Sequence, residues 1–447
     1  MSPARLDYTA AVAALRARGR FGISLGLERI EALLAEMDHP ERSLRGALVA
    51  GTNGKGSVVA LTTAVLREAG LKVGSMPKPH LVSYRERIAL DGEPLSEQRF
   101  AAALNAVLPA IDRVTARLGP PTEFEALTAA AFAELARSKI DLAIVEVGLG
   151  GRLDATNALD PGVAVIINVQ HDHEKHLGRT LAAIGAEKAA IIKAGNLAVT
   201  GAAGRGLSPI LERAAAVRAP IRRTGAGTPY RASLRHAGWD GLMIDAETPN
   251  GPFTGLGIGL LGSHQVGNAV VALALLDALG EDAARHGRPF ELTDAAVRSG
   301  FARARWPGRL ELFETTPHGR VLLDGAHNPA GARALATALA ELGMHGFPLV
   351  FGAMRGKHVS GVLRALAPLR PRPVFTTAST IGAHRPASLL RRWQRVAGPG
   401  SAAETPGRAL ELAAELRSEP DQPIVVAGSL YLVGAVRGML TGEVEPE

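Results

Sequence analysis

The chain has 447 residues, a length that predicts two or three domains with cores large enough to fold independently. Cysteine is absent, which excludes a disulfide scaffold, a thiolate metal site, an iron–sulfur cluster and a cysteine nucleophile. The 50 Lys and Arg residues exceed the 43 Asp and Glu residues, so the net charge is +7 and suits anionic ligands. Because the basic residues are scattered and aromatic residues make up only 4% of the chain, we predict small anions rather than nucleic acid as ligands.

Two stretches bear on localisation. The first ten residues lack an apolar run behind their charges, so they do not form a secretory signal, and we expect a cytoplasmic protein. Residues 248–276 carry no charge and are long enough to span a bilayer, but Pro249, Pro252 and several glycines interrupt them. We therefore predict a Gly-rich loop followed by a helix there, and no membrane contact.

Short apolar runs alternate with Ala- and Leu-rich segments of helical period, which is the pattern of a mainly parallel sheet covered by helices. In chain order the first part predicts a helix over 25–37, a strand over 47–50, helices over 58–68 and 124–137, strands over 142–147 and 163–168, a helix over 181–192 and a strand over 197–200. Residues 204–259 are polar and β-rich, and we expect an antiparallel extension of the first domain. The remainder predicts helices over 264–279 and 330–341 and strands over 320–323, 348–351, 373–376 and 423–427.

The helical and strand periodicity breaks once near the middle of the chain. Trp306, Pro307 and Gly308 interrupt it before a new alternating series begins at Arg320. We therefore predict two domains, residues 1–303 and 304–447, the second a smaller Rossmann-like α/β domain.

The strongest chemical signal lies between the strand predicted at 47–50 and the helix after it, where the sequence reads Gly51-Thr52-Asn53-Gly54-Lys55-Gly56-Ser57. Its glycines allow backbone N–H groups to face phosphate oxygens, the helix presents its positive N-terminal end, and Lys55 supplies charge for the β and γ phosphates. Gly56 stands where such a loop usually has Ser or Thr, so Ser57 is the alternative ligand for a metal or a phosphate. An ordinary Gly-rich turn rarely has this sequence, so we predict a nucleotide-binding P-loop domain.

Two polar clusters follow later strands, at the edge of the sheet where ligand crevices form. Glu146 opens a Gly-rich loop, residues 147–157, whose spacing does not match a dinucleotide fingerprint; it is either a metal ligand or a carboxylate paired with an arginine. Residues 170–176 contain three His and two carboxylates and form either a solvated loop or a site for Mg²⁺ beside the nucleotide. Without further context, Lys188 reads as a lysine on a helix surface.

Together these motifs resemble the folylpolyglutamate synthases, in particular their bifunctional bacterial dihydrofolate synthase/folylpolyglutamate synthase branch, within the Mur ligase superfamily. The resemblance rests on an ordered series of motifs at residues 25–30, 51–57, 79–81, 86–88, 124–125, 146–157, 172–173, 187–188, 264–268, 307–309, 324–329 and 427–429. The form of residues 151–157 is similar to the bifunctional branch, which favours dihydropteroate among the substrates.

The resemblance implies an ATP-dependent acid–amino-acid ligase of folate biosynthesis and one-carbon metabolism. The family adds L-glutamate to dihydropteroate and to tetrahydrofolates: the acid attacks the γ phosphate of ATP, and the glutamate amine then displaces phosphate from the acyl phosphate. The family implies Mg²⁺ as cofactor, ATP as co-substrate and a monomer. Two alternatives stay open, namely a Mur-type ligase for another acid and a P-loop ATPase without ligase activity.

The resemblance also implies roles for individual residues. It makes Lys55, Lys188 and His173 catalytic. Metal ligands would be Glu146, His173, Lys188 as a carbamate, and Ser57. ATP would contact residues 51–57 with Asn268, Arg309 and Asp324, the last two from the second domain. The pteroate group would contact Thr122, Glu123, Phe124, Glu125, Leu153, Asp154 and Ala155.

Two positions depart from the family pattern. Lys78 replaces a Ser that ligates magnesium in relatives, and an ammonium group cannot ligate a metal, so Lys78 is expected to contact phosphate or to leave the metal to Ser57 or water. In residues 352–358, Lys357 is kept but the carboxylates that flank it in relatives are absent, which weakens the expected nucleotide contacts of the second domain.

Overall fold

The computed structural model describes residues 5–19, 25–377, 382–443 and 445, and within them the chain forms fifteen helices and seventeen strands. The helices are α1 (Tyr8–Gly19), α2 (Glu28–Ala35), α3 (Lys55–Glu68), α4 (Glu97–Leu118), α5 (Glu123–Arg137), α6 (Glu174–Leu177), α7 (Leu181–Ala189), α8 (Ser208–Ala216), α9 (Gln265–Arg285), α10 (Asp294–Arg303), α11 (Pro329–Glu341), α12 (Val359–Leu366), α13 (Pro386–Gln394), α14 (Pro406–Glu415) and α15 (Leu430–Thr441). The strands are β1 (Gly46–Ala50), β2 (Val73–Met76), β3 (Ala89–Leu90), β4 (Glu93–Pro94), β5 (Leu142–Glu146), β6 (Gly162–Ile166), β7 (Leu197–Thr200), β8 (Ile221–Arg223), β9 (Arg231–Gly238), β10 (Gly241–Thr248), β11 (Gly251–Ile258), β12 (Glu311–Thr315), β13 (Gly319–Leu323), β14 (Pro348–Phe351), β15 (Arg372–Phe375), β16 (Ser401–Ala402) and β17 (Ile424–Ala427).

The largest sheet carries the N-terminal domain. In the described residues its strand order is β4-β3-β2-β5-β1-β6-β7-β8, with β3 and β4 antiparallel and the other six parallel. Its central strands are apolar throughout because helices cover both faces. Along β1, Leu48 packs into the core shared with α4 and α5, whereas Val49 packs into the core shared with α3 and α9. The carboxyl ends of β1, β2, β5 and β6 consequently meet at one edge.

The segment 204–259 holds the antiparallel extension that we predicted, but it does not begin as strand. Strands β9, β10 and β11 form an antiparallel meander whose Leu242 and Leu256 share a core with α9. Its first part instead forms α8, with Ile210 and Ala214 buried one turn apart. We predicted no helix there because only two apolar positions mark the buried face of so short a helix.

The structure also corrects the loop predicted in the uncharged stretch 248–276. Residues 251–258 form strand β11 rather than a loop, and helix α9 follows as predicted. The glycines mislead here because they suit a turn, whereas pairing with β10 supplies the hydrogen bonds that hold them extended. Among the described residues, no helix has both the length and the apolar character needed to cross a bilayer.

The C-terminal domain is a second α/β unit. Its sheet has the order β12-β13-β17-β14-β15-β16 within the described residues, with β12 antiparallel and the others parallel. The eight strands predicted from the sequence, which belong to the two large sheets, are all present, within two residues of the predicted bounds. The α/β fold class is therefore confirmed. The division at 303/304 lies between the end of α10 at Arg303 and the start of β12 at Glu311, and it stays a prediction.

Candidate active site

A cavity of about 990 Å³ opens at the carboxyl edge of the large sheet and extends to the C-terminal domain. Ligand sites of open α/β sheets lie at this edge. Of the residues proposed from the sequence, its lining includes all of 51–57 together with Glu146, His173, Lys188, Asn268, Arg309 and Asp324. Lys78 and Lys357, the two departures from the family pattern, also line it.

The glycine-rich loop connects β1 to α3 and is held by its neighbour after β6. The Asn168 side-chain oxygen accepts hydrogen bonds from the backbone N–H groups of Thr52 and Asn53, both at 3.1 Å. The Asn168 amide in turn donates to the Asn53 carbonyl at 2.8 Å. Asn168 therefore fixes the loop conformation. Asn168 was not among the predicted site residues, although its place at the end of a buried strand was a signal.

Two glycines of the loop make room for other parts of the chain. Gly54 has a φ of 86°, and a Cβ there would lie 2.3 Å from the side-chain oxygen of Asn268. A Cβ on Gly56 would lie 2.3 Å from the indole of Trp306. The Ser or Thr that is usual at the Gly56 position would collide with this indole, so Trp306 gives a physical reason for the departure. Ser57, one position later, lines the cavity.

Lys55 and Lys188 converge on the same carbonyl oxygen. The Nζ of Lys55 donates to the Gly51 carbonyl at 3.1 Å, and the Nζ of Lys188 donates to it at 3.3 Å. Burial, with the nearby Lys55 charge, lowers the pKa of Lys188 to about 7. Lys188 is thus a buried residue, 3% exposed, and not the surface lysine that its helix suggested. An amine of this pKa is largely neutral near pH 8, and a neutral amine is the form that reacts with CO₂.

Glu146 ends β5 and is 4% exposed. One carboxylate oxygen accepts from the backbone N–H of Lys78 at 3.2 Å, and the other lies 3.8 Å from the Nζ of Lys55. Burial raises the pKa of Glu146, and the charges of Lys55 and Lys78 only partly offset that effect. A buried carboxylate of this kind, facing a cavity, is suited to a cation.

The loop after β6 contacts the C-terminal domain at the cavity. Asp172 lies 3.5 Å from the Nζ of Lys357 and accepts a hydrogen bond from the side-chain amide of Asn328 at 3.1 Å. That amide also lies 3.3 Å from the side-chain oxygen of Asn53 in the phosphate loop. Burial acts to raise the pKa of Asp172, but Lys357 and His173 outweigh it and hold that pKa below its ordinary value. From the sequence, Asp172 belonged to a candidate magnesium cluster and Lys357 to a separate motif, and their pairing was not predicted.

Arg309 and Asp324 reach the cavity from the C-terminal domain. Asp324 is buried and accepts from the backbone N–H groups of Leu310 at 3.1 Å and Ala326 at 2.9 Å. Burial raises its pKa, partly offset by Arg309. A Cβ on Gly325 would lie 2.0 Å from a terminal nitrogen of Arg309, so this glycine leaves space for the guanidinium.

None of the seven residues proposed for pteroate contact is among the lining residues of the cavity in the described structure. Thr122 caps α5, and Glu125 completes this cap and pairs with Arg29 at 3.0 Å. Asp154 accepts from the backbone N–H groups of Leu149 and Thr156, which connects the two ends of the Gly-rich loop 147–157. The remaining members of the set are Glu123, Phe124, Leu153 and Ala155. Their predicted contact with a pteroate group stays a prediction.

Lys78 lines the cavity and also lies against two members of the proposed pteroate set. Its Nζ lies 3.7 Å from the ring centroid of Phe124 and 4.0 Å from Asp154, yet it makes no hydrogen bond within the described residues. The side chain is 8% exposed. Burial lowers the pKa of Lys78 to about 8, although Asp154 and Glu146 favour its charge. The position therefore presents a cation at salt-bridge distance from Asp154 that has no hydrogen-bond partner among the described residues, rather than an oxygen ligand.

His80 is a further cavity residue, and its role in the site was not foreseen from the sequence. Its Nδ1 accepts a hydrogen bond from the Nε of Arg87 at 2.8 Å, and burial together with the Arg87 charge lowers its pKa to about 3. A neutral imidazole that accepts at Nδ1 carries its proton on Nε2. His80 is therefore a fixed hydrogen-bond donor at the cavity. The Pro-His sequence at 79–80 was the available signal.

The cavity contains side chains that could bind a magnesium ion. Glu146 supplies a buried carboxylate and Ser57 a hydroxyl, both on the cavity, and hard oxygen donors suit this ion. His173 is nearly half-exposed, and burial lowers its pKa, which keeps a ring nitrogen free to bind. Lys188 can contribute only after conversion to a carbamate. Among the described residues, no three His, Asp or Glu side chains form a metal-holding group. The oxygen donors fit an ion that nucleotide phosphates also bind.

Comparison with known proteins gives matches along most of the chain. Residues 100–276 match the Mur ligase middle domain, and residues 308–430 match the Mur ligase glutamate ligase domain. A dihydrofolate synthase/folylpolyglutamate synthase of Bacillus subtilis is 32% identical over 95% of this chain and 97% of its own length. The chain belongs to the dihydrofolate synthase/folylpolyglutamate synthase family. The resemblance drawn from the motifs is confirmed.

Solved structures of the dihydrofolate synthase/folylpolyglutamate synthase family agree with this fold. Folylpolyglutamate synthase of Mycobacterium tuberculosis, in complex with ADP and AMPPCP, aligns with a TM-score of 0.87 at 32% identity over 97% of this chain and 99% of that one. FolC of Escherichia coli, in complex with DHPP and ADP, aligns with a TM-score of 0.84 at 29% identity over 97% of this chain and 98% of that one. The chain is accordingly an ATP-dependent ligase, and this family membership favours the ligase over the two alternatives.

Proposed function

We propose that this ligase adds L-glutamate both to dihydropteroate, forming dihydrofolate, and to tetrahydrofolates, forming polyglutamates. The observation that carries the proposal is the placement of the phosphate loop, the buried Glu146 and the two lysines Lys55 and Lys188 on one cavity with Arg309 of the C-terminal domain. This concentration of cations suits the triphosphate and the acid that must meet there. The relatives are named as synthases of dihydrofolate and of folylpolyglutamate, which are the two kinds of product that these additions form.

The chain's own residues bind and orient the reactants. Lys55 and the loop N–H groups neutralise the phosphates, and Arg309 with Asn268 positions the nucleotide from the other side. Asp324 holds the backbone turn beside Arg309 through its two hydrogen bonds. Held in line, the acid's carboxylate attacks the γ phosphate to give an acyl phosphate, and the glutamate amine then displaces phosphate. This sequence of steps needs no protein nucleophile.

Lys78 is proposed to attract the acid substrate. Its ammonium has no hydrogen-bond partner among the described residues, contacts Phe124 of the proposed pteroate set and belongs to a residue that lines the cavity. A carboxylate that reaches the γ phosphate passes this position. Lys78 would offset the repulsion between the two anions as they meet.

Bound magnesium would neutralise phosphate charge during the transfer. The residues proposed to hold it are Glu146, Ser57, His173 and the carbamate of Lys188. All four residues line the cavity.

The two domains are proposed to close over the reactants. Arg309 and Asn328 approach the phosphate loop from the C-terminal domain, so the complete site requires both domains. Closure would also keep water away from the acyl phosphate. We further propose that the protein is a monomer and is located in the cytoplasm. Sedimentation equilibrium tests the monomeric state.

The experiment is phosphate release from Mg-ATP in the presence of L-glutamate, with dihydropteroate, with tetrahydrofolate or with no acid. Release with both acids, accompanied by the glutamylated products, is the expected result. Release with only one acid would restrict the enzyme to one branch of the family. Equal release without any acid would contradict the proposal. A further reaction with a UDP-sugar acid tests the Mur-type alternative, and release with that acid only would indicate a ligase of cell-wall precursors.

A further inference from the structure

The ammonium group of Lys78 occupies a niche formed by two residues of the proposed pteroate set. Its Nζ lies 3.7 Å from the centroid of the Phe124 ring and 4.0 Å from the Asp154 carboxylate. The nitrogen is buried and has no hydrogen-bond partner among the described residues. An ammonium group carries three donors, and a buried donor without an acceptor costs free energy. A ligand that offers acceptors can therefore draw this nitrogen away from the ring.

The niche adjoins the catalytic cavity at Gly148. A Cβ on this glycine would lie 3.3 Å from the Nζ of Lys78, 3.3 Å from the Cζ of Phe124 and 2.9 Å from a carboxylate oxygen of Asp154. Gly148 and Lys78 both line the cavity, whereas Phe124 and Asp154 do not. The ring and the carboxylate thus approach the wall of the cavity at Gly148, and the ammonium group lies at the same point.

Lys78 takes the space that a flat ligand on Phe124 would need. The Phe124 side chain packs against the hydrophobic core of the N-terminal domain, and the ammonium group lies over its ring. Stacked aromatic atoms approach one another to about 3.5 to 4.0 Å, which is the separation that the ammonium group has from the ring centroid. In this arrangement a pterin cannot stack on the face that Lys78 covers.

The side chain of Lys78 can also reach the reacting groups. Its backbone N–H donates to Glu146 at 3.2 Å, and the other oxygen of Glu146 lies 3.8 Å from the Nζ of Lys55 in the phosphate loop. The backbone at position 78 is therefore anchored beside this loop, while the four-carbon stem of a lysine is flexible. A carboxylate that meets the phosphates here offers the ammonium group charge-assisted hydrogen bonds, which are stronger than its contact with a ring.

We propose that Lys78 gates the pterin contact: its ammonium group covers Phe124 until the carboxylate of the acid substrate draws it into the cavity. The exchange uncovers the ring, and N–H groups of the pterin then donate to Asp154 in place of the cation. Lys78 thereby selects pterins that carry an acid, which a ligase can activate, over pterins that lack one. This inference rests on the proposed function, because it assigns the pterin of those substrates to the proposed pteroate set.

The test uses a pterin that has no carboxylate. Fluorescence titration with 6-hydroxymethylpterin should show weak binding to the wild-type protein and about tenfold tighter binding to Lys78→Ser, whose short side chain leaves the ring open. The kcat/KM for dihydropteroate should change in the opposite direction and fall in the same variant, because its carboxylate loses a cation. Lys139→Ser removes an exposed lysine that does not line the cavity, and it should behave as wild type in both assays. Unchanged or weaker pterin binding to Lys78→Ser would overturn the proposal.

A second variant separates the cover from the charge. Lys78→Met has a side chain of similar length without charge, so it should keep pterin binding within twofold of wild type while kcat/KM for dihydropteroate falls as in Lys78→Ser. Equal tightening in the two variants would assign the effect to the lost charge and overturn the gate. Melting temperatures check that both variants fold. If the pterin results are as expected but no folate acid supports phosphate release, the proposed function fails and the gate does not. Ligase activity on dihydropteroate with equal pterin affinity in all variants would leave the function and refute the gate.

Discussion

Lys188 and Glu146 are ionisable side chains that the fold buries beside the phosphate loop, and each has a pKa moved toward its neutral form. Burial disfavours a charge unless an opposite charge or a ligand compensates it. Both residues therefore reduce the stability of the protein at some pH, and both lie where ATP and an acid are proposed to bind. Stability and activity should respond in opposite directions when they are replaced.

For Lys188 the effect depends on pH. Its pKa is about 7 in the folded protein, against 10.5 ordinarily. Between these values the unfolded chain binds a proton that the folded chain does not, so the free energy of unfolding rises with pH across this interval. Lys188→Met should therefore raise the melting temperature most at pH 6, with a gain that shrinks toward pH 9. Calorimetry in CO₂-free buffer measures this, and a gain that does not change with pH would contradict it.

For Glu146 we predict a loss of activity without a loss of stability. Glu146→Gln keeps the shape and an acceptor for the Lys78 N–H but removes a buried charge whose cost Lys55 and Lys78 only partly offset. We expect kcat/KM for ATP to fall about 10² to 10³-fold, while the melting temperature stays equal or rises. Phosphate release and calorimetry give the two readouts. A lower melting temperature would mean that Glu146 is chiefly structural.

At the level of elements, the join between β1 and α3 shows what a sequence can and cannot specify. The local order of glycines and Lys55 was sufficient to predict the phosphate loop, because backbone curvature and helix position depend on adjacent residues. The partners that hold this loop are distant: Asn168 follows β6 and Trp306 precedes β12. Contacts over such separations depend on tertiary packing, which no local pattern encodes.

The same contrast between local patterns and distant contacts explains which helices and strands were predicted and which were not. Strands such as β5 and β14 are short apolar runs buried on both faces, and their burial is visible in composition alone. Helix α4 has a buried stripe that includes Phe100, Leu104 and Ile111, but Pro109 lies inside it, and we did not predict it. Helix α8 was not predicted because only two apolar positions mark its buried face. Elements whose local signals conflict require the tertiary context.

The contact between Gly56 and Trp306 gives a prediction for this join. Gly56→Ser should destabilise the protein by about 1 to 3 kcal/mol, because its Cβ would lie 2.3 Å from the indole. Combining it with Trp306→Leu should recover part of that loss, since the smaller side chain leaves room. Chemical denaturation measures both. Gly280→Ser in α9, where a Cβ meets nothing within 4 Å, is the matched control. Equal destabilisation by the two serine variants would contradict the packing argument.

At the level of the whole molecule, the site is divided between two domains, and Asp172 is one carboxylate through which they touch. It contacts Lys357 at 3.5 Å and Asn328 at 3.1 Å. Both contacts would help to hold the C-terminal domain over the nucleotide. Sequence alone placed residues 170–176 near the nucleotide but not against the second domain, because the arrangement of two domains is not a local property.

A double-mutant cycle tests this contact. Asp172→Asn and Lys357→Gln should each raise the KM for ATP about fivefold, and the double variant should be no worse than either, which corresponds to a coupling of about 1 kcal/mol. The difference from wild type should shrink at high salt, because the pair is partly exposed. Effects that simply multiply would show that the two residues act independently.

The most direct test of the ligase mechanism follows one oxygen atom. Dihydropteroate whose carboxylate carries ¹⁸O is incubated with Mg-ATP, L-glutamate and the enzyme, and the released phosphate is analysed by mass spectrometry. An acyl phosphate transfers one carboxylate oxygen to phosphate, so the account predicts one ¹⁸O in the phosphate for each dihydrofolate formed. Phosphate without the label, released at the same rate, would show that ATP is hydrolysed by water and would contradict the proposed ligase reaction.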